Sequence, residues 1–117
     1  MNQIMSFLII LSTINTTYLC DSNKLELIIR NNINGDFAEI NKITEIKPGA
    51  FVTINWKKIN LMLPLSPGTK FLSFSDKKWD WRYKYNKKRE INETEPILYE
   101  LLESGLYNEY ECKLKVS

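Results

Sequence analysis

The stretch Trp79-Asp80-Trp81-Arg82-Tyr83-Lys84-Tyr85 alternates ring and charge at a period of two. A β-strand sends successive side chains to opposite faces, so this pattern puts four rings on one side and Asp80, Arg82 and Lys84 on the other. Helical geometry would scatter the same rings about the axis. The segment therefore predicts a strand. A strand face carrying that much aromatic surface must either bury it in a core or present it to a partner.

The remaining chain reads as short β-like runs separated by turn signals. Leu25–Arg30 alternates, with Leu25, Leu27 and Ile29 on one face. Asn34-Gly35 tolerates positive φ and predicts a tight turn, with Phe37–Ile40 as the return, extending as far as Ile46. Pro48-Gly49 suits the centre of a type II turn. Phe51–Trp56 and Ile59–Leu65 follow as strands. Pro64, which cannot donate to a ladder, ends or bends the second. Lys70–Ser75 can pair with the aromatic strand. One helix is expected near residues 95–104: Pro96 fits a first turn, Gly105 a terminus, and Ile97, Leu98, Leu101 and Leu102 recur at three- and four-residue steps. From Leu106 to Val116 alternation returns, with Tyr107, Glu109, Glu111, Lys113 and Lys115 on one face and Cys112 among the apolar side chains of the other. These segments predict a mainly β domain, a small antiparallel β-sandwich or barrel-like fold with that one helix.

Residues 4–14 form an apolar run, and no charge appears until Asp21. The length fits a secretory signal peptide better than a membrane span. The expectation is a leader over 1–19 and a single secreted domain over 20–117. Cys20 and Cys112 then stand near the two ends of that domain. A bond between them would close almost all of it, and an oxidising compartment permits one. Asn92-Glu93-Thr94 is an N-glycosylation acceptor, which marks Asn92 as a candidate glycan site.

The formal net charge of +2 conceals an ordered distribution. Lys70–Arg89 holds eight basic residues against Asp76 and Asp80, whereas Glu90–Glu111 holds seven glutamates and no base. Packing the two segments together would cancel the asymmetry. Separating them would leave a dipolar surface that orients charged partners.

No histidine is present. That removes the usual neutral-pH base, the Ser-His and Cys-His arrangements and most zinc sites. No phosphate-binding glycine loop, calcium loop or paired-cysteine motif occurs, so neither enzyme activity nor a cofactor or metal is expected. A single-stranded nucleic acid would need rings and cations on one face, whereas here they alternate. The expectation is a secreted, extracellular recognition or interaction protein. It would bind a protein or glycan stoichiometrically through Lys77, Lys78, Trp79, Trp81, Arg82, Tyr83, Lys84, Tyr85 and Lys87. A lectin-like carbohydrate-binding module, with Trp79 or Trp81 against a sugar face, is the alternative, and an extracellular structural protein the second. The bases also suit an anionic glycan or lipid headgroup.

Overall fold

The computed structural model describes residues 16–67 and 70–115. Within them lie β1 (Thr16–Cys20), β2 (Asn23–Ile33), β3 (Asp36–Glu39), β4 (Phe51–Trp56), β5 (Ile59–Pro64), β6 (Ser73–Ser75), β7 (Trp79–Tyr85), β8 (Ile91–Leu101) and β9 (Tyr107–Leu114), with one 3-10 turn at Ile43–Glu45. All the strand pairs are antiparallel. Their spatial order is β5-β4-β2-β1-β9-β8-β7-β6, and β3 adds to β2 alone. Spatial order therefore follows chain order, with β1 returning to pair β9. The two ends of the series meet where Leu65 bridges Phe74. Ser66 N–H donates to the Ser73 carbonyl at 2.9 Å, and the Ser66 and Ser75 hydroxyls share a hydrogen bond. The sheet is nearly closed into a barrel, the second of the two architectures expected.

An eight-stranded barrel has an interior just wide enough for side chains to fill it. Here Trp56, Trp81, Tyr18, Tyr83 and Phe74 supply the bulk, with Leu25, Leu27, Ile54, Leu63 and Leu98 between them. Rings meet edge to face, Tyr18 with Trp81 at 5.2 Å and Trp81 with Tyr83 at 5.9 Å between centroids. That geometry sets the positive edge of one ring against the negative face of the next. The Trp56 indole N–H donates to the Cys20 carbonyl at 3.1 Å, so this buried polar group is satisfied.

Turn chemistry sets the register. Asn34 and Gly35 both have positive φ (54° and 89°), as a type I′ hairpin requires, and they join β2 to β3. Gly49 sits at φ 93° while Ala50 N–H reaches the Lys47 carbonyl, completing the expected type II turn. Alternating strand directions gather the turns at 21–22, 57–58, 76–78 and 102–106 at one end of the barrel, called here the lower end. The β2–β3 turn, residues 40–50 and the β7–β8 tip lie at the upper end. Asn31 fastens the upper segment: its amide donates to the Glu45 carbonyl and its oxygen accepts from Lys47 N–H. Ile43 and Ile46 thereby pack against the core.

One expectation is corrected. The helix near residues 95–104 does not form, because Ile91–Leu101 is β8, bonded on both edges to β7 and β9. Two neighbouring strands satisfy its backbone and Leu98 enters the core, which outweighs a local helical spacing of leucines. Pro96 is tolerated because the β7–β8 register shifts between Arg82 and Lys84, a bulge where a missing N–H costs no ladder bond. Gly105, at φ 87°, serves the β8–β9 turn instead of ending a helix. Thr16–Leu19 belong to β1, and Tyr18 is a core residue. Residues 1–15 lie outside the described chain.

Cys20 and Cys112 are disulfide-bonded. They face each other directly across the β1–β9 pair, which joins the first strand to the last.

Candidate recognition surface

β7 divides its side chains as alternation requires. Trp79, Trp81 and Tyr83 point inward, 7%, 0% and 1% exposed. These three were expected to contact a partner, and burial excludes them from doing so directly. A barrel this small needs their volume inside. Tyr85, beyond the bulge, is 42% exposed and packs edge to face with exposed Phe71 at the upper end. The cations are divided as well. Lys77 and Lys78 flank the lower turn and Lys87 lies on the upper tip, separated by the length of β7, roughly 20 Å for seven residues. They do not form one patch.

Arg82 is the expected contact residue that the fold builds into a surface. Cross-strand register aligns Asp80 with Tyr99 and Tyr99 with Glu109 on the outer face of β7, β8 and β9. Asp80 and Arg82 are adjacent on that face and joined by a 2.6 Å ion pair. The Arg82 guanidinium lies 5.2 Å from the Tyr99 ring centroid and 5.4 Å from that of Phe71, within cation–π range of both rings. Tyr99 meets Tyr107 edge to face, and Tyr107 is 61% exposed. Asp80, Arg82, Tyr99, Tyr107 and Glu109 line a shallow groove of about 280 Å³.

The electrostatics of the groove are mixed. Asp80 Oδ1 and Arg82 Nε have no hydrogen-bond partner. Burial, then the Glu109 carboxylate, pushes the Tyr99 hydroxyl above its ordinary range against the pull of Arg82. Tyr99 thus stays protonated at neutral pH, able to donate as well as accept. Rings, a fixed cation, carboxylates and a phenol together suit a polar ligand with an apolar face, or a polypeptide partner. Among the described residues no group of three or more His, Cys, Asp or Glu side chains is placed to hold a metal ion.

Phe71, Tyr99, Tyr107 and Glu109 were not among the expected contacts. Alternation had already set Tyr107 and Glu109 on one face. Tyr99 was hidden by the helical reading of its segment. Lys84 is half-buried on β7 opposite Asn92, whose side-chain oxygen accepts from Thr94 N–H and from the Thr94 hydroxyl. The basic and acidic segments lie side by side as the paired strands β7 and β8, and among the described residues the Lys78–Glu100 ion pair joins them.

A family model described as Domain of unknown function (DUF8671) matches residues 28–112, from the middle of β2 to the second bridged cysteine. No curated protein and no solved structure matches the chain.

Proposed function

We propose that this chain, which belongs to the family Domain of unknown function (DUF8671), is a secreted recognition protein that binds an extracellular partner stoichiometrically. The outer face of β7–β9 is the contact surface and no chemistry is performed on the partner. The observation that carries this reading is the groove in which Arg82 lies within cation–π range of Phe71 and Tyr99 beside exposed Tyr107. Arg and Tyr are enriched at interaction hot spots, and tyrosine brings large contact area with little rotamer freedom to lose. A rigid barrel behind them lowers the ordering cost of binding. The Cys20–Cys112 bond favours an oxidising compartment and so supports secretion. Removal of a leader must then leave β1 intact, so amino-terminal sequencing of secreted protein is expected to give a start at or before Thr16. A start after Leu19 would contradict the role of Tyr18. Asn92 is the expected glycan site in such a product, and Asn92→Gln should reduce any shift on glycosidase treatment.

Titrating labelled protein onto intact cells tests the surface. Saturable binding should weaken at least tenfold in Tyr107→Ala and Arg82→Ala and stay unchanged in Lys77→Ala. Equal binding by all three variants would remove the groove from consideration. A lectin-like reading is the second, favoured by the Tyr99 and Tyr107 rings standing beside the Asp80–Arg82 pair in the groove, an apolar face next to polar groups. Trp79 and Trp81 are too buried to serve as its sugar platforms. A neutral-glycan array signal that resists salt and disappears in Tyr107→Ala would select it over a protein partner.

A further inference from the structure

We infer that the upper end of the barrel docks end-on against an anionic membrane surface, through a site that shares Phe71 with the edge of the β7–β9 groove and is otherwise distinct from it. Four large apolar side chains with substantial exposure gather there: Ile33 and Phe37 on the β2–β3 hairpin, and Phe71 and Tyr85 beside the β7–β8 tip. Phe37, 64% exposed, is braced edge to face by Phe51, and Phe71 and Tyr85 brace each other. Rings held in this way stand out from the barrel and cannot fold back into it.

Cations surround them. Lys87, Lys88 and Arg89 occupy the tip, where Asn86 fixes the turn by accepting from Lys88 and Glu90 N–H, and all three are exposed. Lys70 lies beside Phe71. None of these four forms an ion pair among the described residues. Lys42 and Lys47 add exposed charge on the segment capping the same end. The carboxylates nearby are Asp36, Glu39, Glu45, Glu90 and Glu93. Glu39 is paired with Arg30, Glu45 accepts from Asn41 and Lys42 N–H, and Glu90 accepts from the Asn86 amide. Burial raises the Glu93 pKa. The end retains a cationic excess.

Interfacial rings among unpaired cations are the composition that a headgroup layer rewards, through ring insertion and attraction to anionic lipid. Topology favours a plane over a linear polyanion. β2 and β7 stand on different walls but run in the same direction, so both fingers end on one side. A bilayer meets both fingers at once, whereas a sulfated chain following the cationic tip gains nothing from Phe37.

Vesicle co-sedimentation of the full chain, comparing neutral phosphatidylcholine with vesicles containing 30% phosphatidylserine, tests the inference. The segment before Asp21 carries no side-chain charge, so the readout is the ratio of the two partition coefficients. Each tip cation contributes about fivefold toward an anionic surface, so losing three costs about a hundredfold and reversing them in K87E/K88E/R89E should abolish the preference. F37S should lower partitioning onto the anionic vesicles several-fold without changing binding to heparin. The lower-end control K58E/K77E should keep the preference, with circular dichroism confirming the fold of each variant. Three results would overturn the proposal: no preference for anionic vesicles, a preference retained by the tip reversal, or heparin binding without vesicle binding.

Discussion

Trp81 shows how one side chain can define a fold while being closed to any ligand. It is fully buried, contacts Tyr18 and Tyr83 edge to face, and leaves its indole N–H without a hydrogen-bond partner. Trp81→Ala should destabilise the barrel by about 3–5 kcal/mol, because the emptied volume cannot collapse inside a closed sheet. Tyr107→Ala should stay within about 0.5 kcal/mol, since its ring projects outward. Urea unfolding of the two variants checks both. The buried phenols set an alkaline limit. Burial raises the Tyr83 hydroxyl to about 12 and raises that of Tyr18 as well, above the ordinary 10 of an unfolded tyrosine. The unfolded chain therefore loses these protons first. Stability is fully present below pH 10 and falls as pH climbs from 10 toward 12, by up to about 1.4 kcal/mol per pH unit for each such tyrosine. Tyr83→Phe should flatten that decline in urea midpoints measured from pH 9 to 12. An unchanged slope would show that Tyr83 does not govern it.

Among the elements, legibility followed periodicity. The strands at 25–30, 51–56, 79–85 and 107–114 emerged from alternation, and both glycine turns from their demand for positive φ. β8 was misread because Ile97, Leu98, Leu101 and Leu102 fit a helical stripe, and its half-buried outer face lacks a polar alternation. Only cross-strand partners resolve such a case. The candidate groove was half legible for the same reason: Arg82 and Asp80 came from β7, whereas Tyr99 belonged to the misread strand and Phe71 lies just before the three-residue β6. The β1–β9 seam depends heavily on its bridge. Its register spans Tyr18 with Leu114 through Cys20 with Cys112, and one further bond joins Lys115 N–H to the Thr17 carbonyl. Replacing both cysteines with serine should cost about 2–5 kcal/mol, seen as a lower urea midpoint that reductant no longer changes.

At the scale of the whole molecule, closure is uneven. The β5–β6 junction rests on one bridge and the serine contacts beside it, whereas β7, β8 and β9 pair over most of their lengths. Local opening should start at that junction. Amides of β5 and β6 are expected to exchange with solvent well before those of β8 in native-state hydrogen exchange, and the reverse order would place the weak seam elsewhere.

The bridge also decides how the molecule bears tension. Because Cys20 and Cys112 are linked across adjacent strands, a pull on the two flanking segments travels through sulfur and bypasses the 92-residue interval between them. About 310 Å of contour, at roughly 3.4 Å per residue, stays out of reach of the load. Stretched between two attachments, the oxidised protein would act as a short, nearly inextensible link, and reduction would convert it into a long elastic one.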